Sequence, residues 1–165
     1  MTHLIRRART SDIPRLPDIE RSAAKAFRDT PHAWLEHDSV VEVEDYPPLI
    51  AANKVRVAEV DGTVVGVMIT EVIGGDLHLL ELSVHEDFQR RGLGRALVQS
   101  ALALAKQKGC SSATLTTFAD VSFNAPFYEG LGFEILANPS PRLVAILRTE
   151  ALHGLSNRCA MQFEI

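Results

Sequence analysis

Gln89-Arg90-Arg91-Gly92-Leu93-Gly94 combines glycines with arginines where a segment ending at Val84 gives way to one rich in Ala and Leu. Residues of these types at a strand-to-helix junction suit an anion. Gly92 and Gly94 remove Cβ atoms that would keep a ligand from the backbone. The first amides of a helix lack partners within it, and the helix dipole adds partial positive charge. Arg90, Arg91 and Arg95 add full charges suited to a pyrophosphate or a 3′-phosphate. The run lacks the third glycine of a dinucleotide-binding Gly-x-Gly-x-x-Gly and the Gly-Lys-Ser/Thr of a Walker loop, so another phosphate ligand is required. A helix start with solvated arginines is the structural alternative.

The segment before this turn carries two groups able to move a proton, His78 and Glu81. Three residues apart, they face opposite sides of an unbulged strand, so at most one addresses a given acceptor directly. Neutral imidazole suits proton transfer near pH 7, whereas a solvated edge histidine would do nothing. Glu81 lies among Leu79, Leu80 and Leu82; if buried it needs a partner or a raised pKa, which serves catalysis, binding of a cation, or a structural salt bridge. Glu36, Asp38, Glu42, Glu44 and Asp45 form an acidic stretch that attracts an amine or is simply a solvated face.

Periodicity predicts the elements that hold these groups. Leu4 to Arg7 reads as a short strand. Thr10 or Ser11 can cap a helix reaching about Phe27, with Asp12 near its positive end and Pro17 kinking or delaying it. Pro31, Pro47 and Pro48 break the stretch from Arg28 to Asn53 into short helical pieces or loops, the kind of segment that covers a site. Val55 to Val60 and Val64 to Ile73 flank Asp61-Gly62 as a hairpin, and Gly74-Gly75 leads to a third strand, Leu77 to Val84. Gly92 to Lys108 is an amphipathic helix closed by Gly109. Ser112 to Thr117 then runs parallel to the preceding strand by a right-handed crossover. A helix over Ala125 to Gly130, a strand over Phe133 to Leu136, a helix over Pro141 to His153 and a strand over Arg158 to Glu164 complete a mixed α/β (α+β) layered domain. It has an antiparallel N-terminal meander, a parallel centre and flanking helices.

A chain of 165 residues, 46% hydrophobic and 23% charged, fits one domain over 1–165 with a single core. The net charge of −4 argues against broad electrostatic binding of nucleic acid. No run approaches the roughly 20 apolar residues that span a bilayer, and the N-terminus lacks an apolar signal core, so a cytoplasmic protein with no membrane partner is expected. Cys110 and Cys159 lack the spacing of a zinc site and read as small core hydrophobes; the histidines form no helical metal pair, so no metal is assigned.

The segment from Val84 to Gly94 resembles the acetyl-CoA loop of the GNAT superfamily of N-acetyltransferases, Gln/Arg-x-x-Gly-x-Gly/Ala at a strand-helix junction. Phe127-Tyr128-Glu129-Gly130-Leu131-Gly132-Phe133 is similar to the family's later Tyr-x-x-x-Gly-Phe motif, and the resemblance covers roughly Val55 to Leu136. It implies the GNAT acyl-CoA N-acyltransferase fold with acetyl-CoA as co-substrate. Gln89, Arg90, Arg91, Gly92, Leu93, Gly94 and Arg95 would hold the phosphates. Backbone groups of Leu82 and Val84 would hold the pantetheine arm, with Asn124 and Phe127 also on the cofactor. The resemblance further implies an opening between the strands that end near Val84 and Thr117. Tyr128 would be the general acid that reprotonates the leaving thiolate, or else a packed tyrosine with a satisfied hydroxyl. Many members have an asparagine seven residues before this tyrosine, where this chain has Val121. Asn124-Ala125-Pro126-Phe127-Tyr128 looks closer to arylalkylamine-type members, which also have a histidine at the position of His78. A helix N-cap explains Asn124 equally well.

On this reading the chain acetylates a primary amine, expected to be a small molecule, by direct attack in a ternary complex. An alkylammonium of pKa ~10 must first lose its proton, to His78 or Glu81. Backbone N–H groups near Val84 would stabilise the oxyanion. A covalent acyl-cysteine route is disfavoured by the positions of Cys110 and Cys159. A non-catalytic acyl-CoA-binding module and a protein lysine or N-terminal acetyltransferase are the alternatives. The irregular cover favours a small enclosed acceptor, and no appended targeting domain is visible. The resemblance also allows a homodimer, through helix pairing or an exchanged last strand.

Overall fold

The computed structural model describes residues 2–165. Among the described residues seven strands, β1 (His3–Arg7), β2 (Val55–Val60), β3 (Thr63–Ile73), β4 (Asp76–Val84), β5 (Ser112–Phe118), β6 (Glu134–Ile135) and β7 (Arg158–Glu164), hydrogen-bond in the order β1-β2-β3-β4-β5-β7-β6, with helices along the chain between them, so the mixed α/β expectation holds. The residues fall into two compact units, Met1–Glu71 with Leu80–Ala101 and Val72–Leu79 with Leu102–Ile165. Among the described residues no helix is long and apolar enough to cross a membrane.

In the first unit, β1 (His3–Arg7) pairs antiparallel with β2 (Val55–Val60), which pairs antiparallel with β3 (Thr63–Ile73). Asp61 and Gly62 join β2 to β3 at φ of 48° and 84°, the left-handed pair that an Asp-Gly hairpin turn requires. The expected cap at Thr10 or Ser11 is not made. Residues 10–15 form a 3-10 helix capped at Arg9, and the carboxylate of Asp12 accepts from the Arg9 amide at 2.7 Å while pairing with Arg6 at 2.8 Å. A half-buried guanidinium on the neighbouring strand thus captures Asp12, and α1 (Leu16–Ala24) starts later, with Pro17 in its first turn. Residues 33–37 and 43–45 make 3-10 turns before α2 (Tyr46–Ala51), so the covering segment is a run of short pieces as expected. Leu16 and Ile19 of α1 and Tyr46 of α2 pack on Val55, Val57, Val67 and Ile69 as one core.

β4 (Asp76–Val84) leads through a 3-10 turn over Glu86–Phe88 to α3 (Leu93–Gln107). The helix lies close on the sheet because residue 66 is glycine. A Cβ there would stand 3.1 Å from the Ala58 Cβ and 3.2 Å from Leu97 Cδ1 of α3. That contact sets the height of the helix on which the anion turn ends.

In the second unit, the first residues of β4 pair in parallel with β5 (Ser112–Phe118), from Asp76 with Ser112 to His78 with Thr114. β5 pairs antiparallel along its whole length with β7 (Arg158–Glu164). α4 (Ala125–Glu129) precedes β6 (Glu134–Ile135), and α5 (Pro141–Leu152) precedes β7, its start capped by the Ser140 hydroxyl. β6 is shorter than expected because the Phe133 amide donates to the Tyr128 carbonyl at 3.1 Å, closing the end of α4 instead of joining the ladder. Phe133 then packs against Phe163 of β7 at 5.5 Å.

Gly132 makes this closure fit. Its φ is 102°, and a Cβ would lie 2.9 Å from the Phe163 ring. Gly132→Ala should lower the unfolding free energy by about 2 kcal/mol, read from urea denaturation, through left-handed strain together with overpacking.

Candidate active site

The first unit builds the anion turn from both sides. The His85 amide donates to the Val65 carbonyl of β3 at 2.8 Å, fixing where β4 ends. From α1, Ser22 Oγ accepts the Glu86 amide at 2.9 Å and Lys25 pairs with the Glu86 carboxylate at 2.9 Å. Gln89 Nε2 then donates to the Val84 carbonyl at 2.9 Å and closes the turn onto its own strand. Arg90 and Gly92 both adopt positive φ, 60° and 83°, so the backbone winds left-handed twice before the helix. The first α3 bond is Ala96 N to the Gly92 carbonyl at 3.0 Å, which leaves the amides of Leu93, Gly94 and Arg95 ahead of the helical ladder. A Cβ on Gly92 would meet nothing within 4 Å, so open space lies in front of this backbone. Glycine is needed at residue 92 for its conformation and not to avoid a protein contact.

The Val84 carbonyl accepts from Gln89, so the Gln89 side chain acts on the turn itself. The Arg91 guanidinium lies over the Phe88 ring at 5.2 Å, a cation–π contact that orients it, while Arg90 and Arg95 are exposed side chains beside the turn.

Further up β4 the burial pattern is not a plain alternation. Leu77, His78 and Leu79 are all buried, Leu80 is 49% exposed, Glu81 and Leu82 are half-buried, and Ser83 is buried. Glu81 Oε1 accepts the Ser83 hydroxyl at 2.6 Å. In the same unit Glu20 of α1 is only 5% exposed; one carboxylate oxygen accepts the Tyr46 hydroxyl and the other the Val41 amide at 3.1 Å. Burial, then the nearby Glu81 charge, pushes the Glu20 carboxyl up to about 7, against the opposing bonds from Tyr46 and Val41. Burial and the bond to Glu20 likewise push the Tyr46 phenol well above its usual value.

Neither Glu20 nor Tyr46 stood out as a functional residue in the sequence. The available signal was a carboxylate four residues after Leu16, on the apolar stripe of α1. The acidic stretch after residue 35 behaves as a solvated surface. Glu36 pairs with Arg28 and Glu42 with Arg21, while Asp38, Glu44 and Asp45 are exposed.

The second unit holds His78, Asn124 and Tyr128. His78 is no solvated edge residue, being 2% exposed with Nδ1 2.8 Å from the Thr114 hydroxyl of β5. Arg142 of α5 donates to that hydroxyl at 3.2 Å and pairs with Asp76 at 3.4 Å, and Asp76 accepts from Ser112 at 2.6 Å. His78 therefore belongs to a polar network that fastens α5 to the β4–β5 pair. Asn124 occupies the N-cap position of α4 without a side-chain cap; its Oδ1 accepts from the Thr117 hydroxyl at 2.9 Å and the Phe118 amide at 3.4 Å. The amide of Asn124 thus ties the start of α4 to β5. Tyr128 is half-buried between Phe127 and Phe133, edge-on to both at 5.0 and 5.7 Å. Cys110 is buried as expected, and Cys159 is half-buried with its thiol pushed up by burial, which suits packing and not a nucleophile.

Residues 13–133 match the sequence profile of the family described as Acetyltransferase (GNAT) family. The [ribosomal protein bS18]-alanine N-acetyltransferase of Escherichia coli K12 is 32% identical over 73 residues, 44% of this chain and 49% of that protein. Its namesake in Salmonella typhimurium LT2 is 35% identical over 65 residues, 39% of this chain and 44% of that protein. The chain therefore spans about half the length of the curated relatives it matches. Among solved structures, the PaiA N-acetyltransferase of Thermoplasma acidophilum in complex with coenzyme A has a TM-score of 0.79 at 18% identity, over 100% of both chains. The ribosomal-protein-S18-alanine N-acetyltransferase of Escherichia coli has a TM-score of 0.70 at 21% identity, over 99% of this chain and 94% of that one. These structural likenesses establish the fold. The curated relatives are alanine N-acetyltransferases and not arylalkylamine enzymes, so the arylalkylamine likeness around Asn124 finds no support in them.

The Glu20 carboxyl supplies a stability test. Because it binds its proton more tightly folded than unfolded, its contribution is complete below about 4.5 and is lost as the pH rises through about 7. Glu20→Gln should flatten that decline. The unfolding free energy of the native protein, from urea denaturation, should fall relative to that of the variant between acid and alkaline buffer, by on the order of 2 kcal/mol.

Proposed function

Because the chain belongs to the acetyltransferase (GNAT) family, we propose that it transfers the acetyl group of acetyl-CoA to a primary amine. The supporting observation is the left-handed backbone at Arg90 and Gly92 immediately before α3, with open space in front of Gly92. That backbone fits a diphosphate, which the amides of Leu93 to Arg95 and the charges of Arg90 and Arg95 would hold. Backbone groups of Leu82 and Val84, on a strand within the sheet, suit the pantetheine arm, with Asn124 and Phe127 on the cofactor as the resemblance implies.

In the proposed reaction the amine nitrogen bonds to the thioester carbonyl carbon and the carbon–sulfur bond breaks. The ammonium first gives one proton to Glu81, which releases it to solvent; the thiolate takes a proton from the Tyr128 hydroxyl, and the second proton, lost by the nitrogen after attack, returns through solvent to Tyr128, so that one proton is released overall. Glu81 suits that task better than His78. A proton added to His78 would lie beside the Arg142 guanidinium, which shares the Thr114 hydroxyl with it, and the ring is almost completely enclosed. Glu81 is less enclosed and carries a hydroxyl donor, Ser83, to support its carboxylate. The reaction is read as that of a single cytoplasmic catalytic domain over 1–165.

The acceptor divides into two readings. The short-piece cover between residues 28 and 53 supports a small primary amine, and the curated relatives support the α-amino group of a peptide beginning with alanine. Coenzyme A release measured with small amines and with alanine-initiated peptides separates them, since the true acceptor should win by kcat/KM. Heat from coenzyme A in calorimetry without turnover on either panel would leave a non-catalytic binding module.

Tyr128→Phe and Glu81→Gln test the chemistry. Each should lower kcat by about 100-fold while leaving the calorimetric affinity for acetyl-CoA within about twofold. Wild-type kcat in the Tyr128 variant removes that residue from the reaction.

A further inference from the structure

Tyr128 rides on α4, a helix of five residues that is too short to persist by itself in water. Its position is therefore set by what ties α4 to the β5–β7 pair. At the far end the Phe133 amide donates to the Tyr128 carbonyl at 3.1 Å, and the Phe133 ring packs on Tyr128 at 5.7 Å and on Phe163 of β7 at 5.5 Å. At the near end the Tyr128 amide donates to the Asn124 carbonyl at 3.1 Å, and the Asn124 side chain reaches β5. Two donors converge on Asn124 Oδ1, the Thr117 hydroxyl at 2.9 Å and the Phe118 amide at 3.4 Å. A backbone amide can only donate, so the oxygen of the Asn124 side chain faces the strand and the Thr117 hydroxyl supplies its proton to it. The Thr117 bond is the shorter of the two, and at 5% exposure Thr117 is shielded from competing water. Thr117 is itself held by the ladder, opposite Cys159 of β7.

We propose that Thr117 is a positioning residue for acetyl transfer: through Asn124 its hydroxyl fixes where α4 starts, and so where Tyr128 presents its own hydroxyl. The proposal rests on the reading of Tyr128 as the acid that protonates the leaving thiolate. Thr117 exchanges no proton with the substrate. The ring contacts of Tyr128 with Phe127 and Phe133 are apolar and weakly directional, whereas the bond from Thr117 to Asn124 has a defined length and direction. It is the contact that selects one seating of the helical turn among those the rings allow. A general acid works only within hydrogen-bond reach of the atom it protonates, and a misplacement of about 1 Å lowers a rate by as much as about 100-fold. Loss of the Thr117 donor leaves the Phe118 amide and the rings in place, so the effect is a fraction of that.

Thr117→Val tests this, since it exchanges the hydroxyl for a methyl of similar shape and keeps a β-branched side chain in the strand. At saturating substrates kcat should fall about tenfold, while the calorimetric affinity for acetyl-CoA stays within about twofold. Thr117→Ser, which keeps the donor, should hold kcat within about threefold of native. In a Tyr128→Phe background Thr117→Val should lower kcat by less than about twofold, because the group it positions is already gone. If Thr117→Val does not fold, Thr117→Ala removes the same donor and carries the same cycle. Native kcat in Thr117→Val, a full further tenfold loss in the Tyr128→Phe background, a loss confined to acetyl-CoA affinity, or a Thr117→Ser variant as slow as Thr117→Val overturns the proposal. Native kcat in Tyr128→Phe instead removes the acid on which it rests, whereas a crippled Tyr128→Phe beside a native Thr117→Val removes only the role of Thr117.

Discussion

The closure of the chain between β4 and α3 is the constraint from which the rest of this protein's chemistry follows. A strand cannot pass into a helix and leave several amides facing outward unless the backbone reverses sharply. Here the reversal is held by the Gln89 side chain on the Val84 carbonyl and by left-handed residues at 90 and 92. The turn is braced at both approaches, from β3 through the His85 amide and from α1 through Ser22 and Lys25. Those contacts fix the direction of the amides at the start of α3, which is the preorganisation that the proposed diphosphate contact requires.

A second constraint is electrostatic. Burying Glu20 costs dehydration that two hydrogen bonds only partly offset, and the proximity of Glu81 raises that cost further. Proteins retain such arrangements where charge has work to perform or where a polar contact fixes a unique geometry. The second description fits a carboxyl that joins α1 to the first and last residues of a six-residue stretch, Val41 to Tyr46, of the covering segment. The polar network of His78, Thr114, Arg142 and Asp76 serves the second description, since it seats α5 on the paired start of β4 and β5.

Much of this was legible in one sequence. Asp61-Gly62 marked its hairpin because an Asp-Gly pair readily takes the two left-handed conformations of a type I′ turn, and the observed φ values agree. The helix after Gly92, the parallel strand at Ser112 and the helix from Pro141 follow from periodicity and punctuation, and all are present. The expected start of α1 shifted because local propensity competes with long-range charge: Asp12 accepts the Arg9 amide at the first, 3-10 turn but also pairs with Arg6 of a strand, and the α-helix begins only at Leu16. The strand at Phe133 shortened for a related reason, as its amide turned back to α4.

The sequence by itself determined the residue types along the anion turn and the order of strands and helices, because both depend on neighbours a few positions apart. Only the tertiary structure decided that Gln89 spends its amide on Val84, that His78 is enclosed with Thr114, and that Asn124 serves β5 instead of capping α4. The pairing of Glu20 with Tyr46, 26 residues apart, is likewise invisible to periodicity. A side chain's partner and its dehydration are set by whichever distant segment packs against it, and no local pattern encodes that choice.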